Sequence, residues 1–391
     1  MNVLQVSTTS VTANKFLRPF AEYMREKGHH VSFACSAKDY PDAPSRVRQL
    51  EDAGFEVHEI AFARRIRPFQ DVKAFWNLLR LVLSNKYDVV HTHTSKAGFI
   101  GRIAARLAGC PVVVHTAHDL FARAFGPGLK RSLFIFLEKL ASPFCNSVLF
   151  VSEAVRQDAI RYRLKSEDSL IFVGNGIDAD EYTNYQSDRV AIRHSYGINA
   201  DDLWVGSVGR LVPNKGIDTF VRAAALVSEQ FPKARFVVAS DGPLRGELEE
   251  LAHSLGIAEK VQFTGLLPSS QSVMDLMSGL DVFVLPTRRE GLGIVFVEAM
   301  ALGCPVVGSR IEPVDQVVRH GETGLLATVD DPNDFAEAIL TLLRDPQLRR
   351  EMSEAGPEYV KSKYDLQLVF ERTENVYHQV RAQTSPLLSE V

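Results

Sequence analysis

Short runs of β-branched and other apolar residues alternate along the chain with longer stretches whose apolar positions recur at helical spacing. In the first half the short runs are Val3–Val6, Val31–Cys35, Glu56–Ile60, Asp88–His91, Val112–His115 and Ser147–Val151. Amphipathic patterns such as Asn14–Lys27 and Asp71–Leu83 fill the intervals. Strands that are apolar throughout and separated by helices predict parallel βαβ units covered on both faces. The pattern pauses at Gly174-Asn175-Gly176-Ile177-Asp178 and a polar stretch from Ala179 to Asp188. It then restarts with Trp204–Val208, Arg235–Ala239, Val261–Thr264, Val282–Leu285 and Pro305–Val307. The expected architecture is therefore α/β, with two doubly wound Rossmann-like domains at residues 1–178 and 188–364. Ligands of open α/β sheets bind outside the carboxyl ends of the strands, which predicts a cleft where the two sheets face each other.

Composition narrows the class. A chain of 391 residues exceeds one typical core, in keeping with two domains. Hydrophobic residues at 46% and charged residues at 24% are ordinary for a soluble globular protein. A net charge of −4 argues against a general nucleic-acid binder. Cys35, Cys110, Cys145 and Cys304 lie far apart with no CxxC pair, which predicts buried thiols in a reducing compartment. The N-terminus enters a strand directly, without a basic leader, and no apolar run approaches the roughly 18–20 residues of a membrane span. The expected location is the cytoplasm.

Two segments at strand ends hold residues suited to anion chemistry. In Gly209-Arg210-Leu211-Val212-Pro213-Asn214-Lys215-Gly216, two cations can converge on one anion beside a helix N-terminus. The spacing is not that of a Walker A loop. In Pro286–Met300, Gly291 and Gly293 expose backbone amides where a helix begins, and Glu298 falls on its first turns, placed to accept two ribose hydroxyls. Glu290 and Glu298 are eight positions apart, about 12 Å along a helix and more if extended. Glycosidase carboxylates sit roughly 5–9.5 Å apart, so the pair reads as two contacts along one long ligand rather than a hydrolytic couple.

These segments carry a resemblance. Gly209–Gly216, the Glu-x7-Glu spacing and the run Glu290–Val307 resemble retaining glycosyltransferases of the GT-B fold, within them the family-four or group 1 transferases. Val90–Ala108, Thr116-Ala117-His118 and Asn175–Asp178 resemble the N-terminal half of the same family, in its bacterial surface-polysaccharide branch. The resemblance implies a nucleotide-sugar donor, UDP- or GDP-linked, and a saccharide or lipid-linked acceptor, with no cofactor and no metal. It implies that Arg210 and Lys215 bind the donor diphosphate and that Glu298 holds the ribose. Glu290 would meet the donor sugar near the amides of Gly291, Leu292, Gly293 and Ile294, and His118 would hydrogen-bond the transferred sugar. Gly265 and Leu266, in the strand end Phe263–Leu266, would edge the base. The segment from about 365 to 391 would pack back on the N-terminal domain. One departure stands in the loop after the first strand, where many relatives have paired glycines. Here Ser7, Thr8 and Thr9 offer hydroxyls for an acceptor or phosphate instead.

Other readings of the same residues remain open at this level. His91, His93, His115 and His118 follow two neighbouring strands, and a metal site would need them to converge. His91 and His115 are better read as strand-end residues bonded to loops. Ala63–Arg67 and Lys130–Lys139 place cations beside apolar residues and suit either an anionic membrane face or a core helix with charged ends. A GT-B epimerase, a phosphorylase or a sugar-nucleotide binding protein are the rival functions. No lysine-anchored pyridoxal phosphate site is evident for the second, and the intact set of Arg210, Lys215, Glu290, Glu298 and His118 argues against the last.

Overall fold

The computed structural model describes residues 1–38, 42–63, 67–120, 122 and 125–384. A first parallel sheet contains β1 (Asn2–Thr9), β2 (His30–Ser36), β3 (Glu56–Glu59), β4 (Val89–His93), β5 (Val112–Ala117), β6 (Ser147–Phe150) and β7 (Leu170–Phe172), in the order β3-β2-β1-β4-β5-β6-β7. A second contains β8 (Leu203–Val208), β9 (Ala234–Ala239), β10 (Val261–Gly265), β11 (Val282–Leu285), β12 (Val306–Ser309) and β13 (Gly324–Ala327), in the order β10-β9-β8-β11-β12-β13. Both orders reverse direction once, between β1 and β4 and between β8 and β11. Each reversal is the switch point at which a doubly wound sheet opens a crevice at its carboxyl edge.

The first sheet separates two apolar clusters by the two-residue period of its strands. Leu4 and Val6 of β1 join one cluster with Leu78, Ile100 and Phe150. Val3 joins the other with Phe20, Phe33 and, from the C-terminal helix Leu366–Thr384, Val376, Tyr377 and Val380. Gln5 lies on the same face as Val3 and is 1% exposed. The second sheet is enclosed by one continuous cluster that includes Trp204, Phe220, Phe236, Phe283, Phe296 and Phe335. The chain divides into one unit of Met1–Gly174 with the residues from Val369 onward, and another of Asn175–Leu368.

The polar stretch near the start of the second unit is structured by its acidic residues. Asp178 accepts the amide of Glu181 at 3.0 Å to cap the helix Ala179–Thr183, and Asp188 accepts that of Ala191 at 2.9 Å to cap Arg189–Ser195. Several sequence expectations shift. Leu170–Phe172 and Gly324–Ala327 are strands that the apolar pattern does not single out. The helix expected at Asn14–Lys27 starts as a π-helical turn at Thr12–Leu17 before the α-helix Arg18–Glu26. All four cysteines are buried and free. Among the described residues, no helix is long and apolar enough to cross a membrane. Arg64, Arg65 and Ile66 of the basic segment at 63–67, and residues 385–391, lie outside the described residues.

Candidate active site

At the switch point of the second sheet, two loops are joined. The loop after β8 forms a short turn at Pro213–Lys215 and ends at Gly216, whose φ of 65° starts the helix Ile217–Gln230. A Cβ on Gly216 would lie 1.9 Å from the Pro286 carbonyl oxygen, so only glycine admits the loop after β11 at this distance. Hydrogen bonds fasten the loops. The Asn214 carbonyl accepts the Thr287 hydroxyl at 2.9 Å and the Arg288 amide at 2.8 Å. Arg288 reaches back to the Pro213 carbonyl at 2.5 Å and to Asp218 at 2.7 Å. The consequence is a pair 75 residues apart in sequence: Lys215 Nζ meets Glu290 Oε1 at 2.5 Å, with side chains 21% and 11% exposed. Arg210, directly after β8, is exposed.

The helix Ile294–Ala301 follows, with Gly293 at φ 87° as its N-cap. Its first-turn amides lack acceptors four residues back, although that of Phe296 donates to the Gly293 carbonyl at 3.0 Å, and such a helix start suits an anion. Glu298 sits half-buried in this helix, and its Oε1 accepts the hydroxyl of Tyr182 at 3.2 Å. Burial, with the Glu298 charge adding to it, raises the Tyr182 pKa, so the phenol stays protonated and donates. Gly265 ends β10 and its carbonyl accepts the amide of Ser240 at 2.9 Å, while Leu266 is 74% exposed. Ser240 closes β9 at φ 117°, a strained value for a residue with a side chain, of the kind that gathers at functional sites.

In the first unit the carboxyl ends of β1, β4 and β5 hold the remaining candidates. Their hydroxyls are engaged locally. Ser7 donates to the Thr9 carbonyl at 3.0 Å, the Thr8 hydroxyl donates to that of Thr94 at 2.6 Å, and Thr9 pairs with Thr12 at 2.9 Å. Thr8 also accepts the amide of Ala97 in the first turn of the helix Ser95–Leu107. The loop is thus closed by its own side chains, and an acceptor or phosphate there would have to displace these bonds. His118 follows β5, and its ring centroid lies 5.7 Å from that of His93. Desolvation by the surrounding protein lowers its pKa, so it is a neutral imidazole at pH 7.

The other histidines differ from the sequence expectation. His91 and His115 bond within the sheet and to the C-terminal helix rather than to loops. His91 Nδ1 meets the Tyr377 hydroxyl at 2.6 Å and its Nε2 meets Thr116 Oγ1 at 2.7 Å. His115 Nδ1 lies 3.0 Å from both the carbonyl and the hydroxyl of Thr92. Among the described residues, the four histidines form no metal-ligand group. The cluster with that spacing is His29, Glu374 and His378, where Lys27 also pairs with Glu374 at 3.7 Å. Sequence reasoning missed Tyr182, Gln5 and Tyr377. The first lies in a stretch that reads as linker, and the other two read as strand and helix filler.

Residues 12–176 match the model of a glycosyl transferase 4-like domain, and residues 188–359 match that of the glycosyl transferases group 1. The capsular polysaccharide biosynthesis glycosyltransferase CapM of Staphylococcus aureus is 26% identical over 94% of this chain and 95% of its own. The UDP-Gal:alpha-D-GlcNAc-diphosphoundecaprenol alpha-1,3-galactosyltransferase of Escherichia coli is 27% identical over 76% of this chain and 77% of its own. The crystal structure of Anabaena HepE in complex with UDP superposes over 100% of both chains with a TM-score of 0.79 at 21% identity. With two Rossmann-like parallel sheets and a match in each half, the chain belongs to the glycosyl transferases group 1 and is a glycosyltransferase of the GT-B fold.

Proposed function

We propose that the enzyme transfers a sugar, with retention of anomeric configuration and without a metal ion, from a UDP- or GDP-sugar to a saccharide or lipid-linked saccharide in surface polysaccharide synthesis. The observation that carries this reading is the Lys215–Glu290 pair at the second switch point, joining the loop that also carries exposed Arg210 to the loop that leads into the helix starting at Ile294. In this reading the diphosphate takes Lys215 from Glu290. Lys215 and Arg210 then supply the positive charge a divalent ion would bring, and Glu290 turns to the sugar hydroxyls. The bond from C1 to the diphosphate oxygen breaks, C1 joins the acceptor oxygen, and the acceptor's proton passes to the departing diphosphate. Fixed charge that faces a leaving group is commonly the largest catalytic term. Glu298, already accepting one hydroxyl from Tyr182, accepts those of the ribose. Neutral His118 hydrogen-bonds the transferred sugar. HepE, solved with UDP, and the E. coli relative, named for UDP-Gal, favour a uridine donor.

Thermal shift with UDP-, GDP- and ADP-sugars, each in EDTA and in Mg²⁺, tests the donor site. One nucleotide class should stabilise the protein equally in both. Glu298→Ala should weaken that donor roughly ten- to hundredfold, as expected for lost hydrogen bonds to a charged group. If no nucleotide sugar shifts the protein at millimolar concentration, the reading fails. An epimerase or a binding protein would pass this test but form no acceptor-dependent product.

A lipid-linked acceptor is favoured by the helix Leu129–Ala141. It exposes Leu129, Leu133, Phe136 and Leu140, at spacings that line one face, beside Lys130, Arg131 and Lys139. Only Ala141 of this helix is buried, so it is not the core helix that its apolar run allows. Such a face suits the anionic surface of a bilayer, which here would be the inner face of the cytoplasmic membrane. Cosedimentation with anionic vesicles is expected for the wild type and strongly reduced for Leu133→Ser/Phe136→Ser. Absence of wild-type binding to anionic vesicles would overturn this part.

A further inference from the structure

Five polar side chains form a chain of hydrogen bonds through the core of the first unit. Gln5, His91, His93, Thr116 and Tyr377 are each no more than 6% exposed. Matching each donor to an available acceptor assigns the protons. Gln5 Oε1 can only accept, so His93 donates from Nε2 at 2.8 Å. Gln5 Nε2 donates to the Tyr377 hydroxyl at 3.4 Å. The phenol has one proton, and it goes to His91 Nδ1 at 2.6 Å. His91 is then an Nε2–H imidazole and donates to Thr116 Oγ1 at 2.7 Å. Thr116 stands two residues before His118 on the end of β5. His93 adds ring contacts rather than a further bond: its Nδ1 has no hydrogen-bond partner among the described residues, and its ring lies 4.0 Å from that of His91 and 5.7 Å from that of His118. Burying this many polar groups costs stability unless each is bonded, and apolar residues of similar size would fill the space without that cost. Tyr377 comes from the C-terminal helix, 286 positions from His91, and its ring also packs against Phe20 at 6.0 Å.

We propose that Tyr377 is a positioning residue for sugar transfer: through His91 and Thr116 it holds the end of β5 so that His118 is presented in one orientation. The inference rests on the proposed role of His118. Tyr377 touches no substrate and acts only through the hydrogen-bond chain. A phenylalanine at 377 keeps the packing against Phe20 and removes the donor to His91. The His91 ring then no longer has a reason to keep its Nε2 proton on Thr116.

Imidazole ¹⁵N spectra of the full chain test the chain without any donor. The wild type should show His91 as a neutral Nε2–H tautomer. Tyr377→Phe should alter the tautomer of His91 and shift the resonances of His118, and Thr116→Val, cutting the far end, should shift His118 as well. If His118 resonances in both variants coincide with those of the wild type, the proposal is wrong. Kinetics then separate it from its premise. On the nucleotide sugar that the wild type turns over, Tyr377→Phe should lower kcat about tenfold with donor KM unchanged. In a His118→Ala background the same change should have no further effect. Equal losses in both backgrounds would show a structural role and overturn the proposal. A His118→Ala variant with full activity would overturn it at its premise.

Discussion

Lys215→Ala lowers kcat by about 10²–10³ and changes donor KM much less, the range seen when one preorganised donor facing developing charge is removed. Two effects add. The leaving diphosphate loses a cation, and Glu290, whose side chain is 11% exposed, loses its partner at 2.5 Å. A carboxylate left unpaired beside a diphosphate repels it, and in a partly buried site that repulsion is screened less than in water. The double variant Lys215→Ala/Glu290→Gln should therefore be less impaired in donor affinity than the single one, although its turnover stays low. Steady-state kinetics on the wild type and the two variants measure this. A Lys215→Ala enzyme within about threefold of wild-type kcat would remove the lysine from the chemistry.

The first unit should lose stability steeply as pH falls below about 6.5, the ordinary value for histidine. His91, His93 and His115 are 2–3% exposed, and burial lowers the pKa of each, that of His91 to about 3. The unfolded chain thus binds protons that the folded chain refuses. Stability is full above pH 6.5 and declines by about 1.4 kcal/mol per pH unit for each such histidine until its folded pKa is reached. Most carboxylates titrate lower, so the interval from pH 7 to 5.5 isolates the histidines. Thermal denaturation should show a fall in Tm on the order of 10 °C across it, since about 1 kcal/mol shifts a unit of this size by roughly 2–4 °C. His93→Gln should flatten the slope. A Tm that is constant or rises over this interval would contradict the buried neutral cluster.

The strands of both sheets are legible in the sequence because parallel strands covered on two faces read as unbroken apolar runs. Leu170–Phe172 is too short for that signal, and Gly324–Ala327 is only three apolar residues behind a glycine. Strand order is not legible, because β8 pairs with β11 through contacts about 77 positions apart, such as Val205 with Val282. The candidate residues at strand ends could therefore be named but not paired. Lys215 reads as a partner of Arg210 in sequence, whereas in the fold Gly216 and Asn214 bring the β11 loop in and give it Glu290. Tyr377 was invisible for the same reason: nothing in a helical heptad marks one tyrosine as the partner of a histidine 286 positions away. The helix Leu129–Ala141 was ambiguous because an apolar stripe looks alike whether it meets a core or a bilayer. Its exposed Leu133 and Phe136 settle only that the stripe faces outward.

The central claim is that the loops after β8 and β11 hold a nucleotide sugar for transfer without a metal ion. The most direct test is release of nucleoside diphosphate from UDP- and GDP-sugars by the purified chain in EDTA, with a bacterial membrane-lipid extract as acceptor source. The account predicts release from one nucleotide class that depends on the extract, persists in EDTA, and falls at least about a hundredfold in Lys215→Ala. Release that requires a divalent ion, or that is indifferent to Lys215, would contradict it.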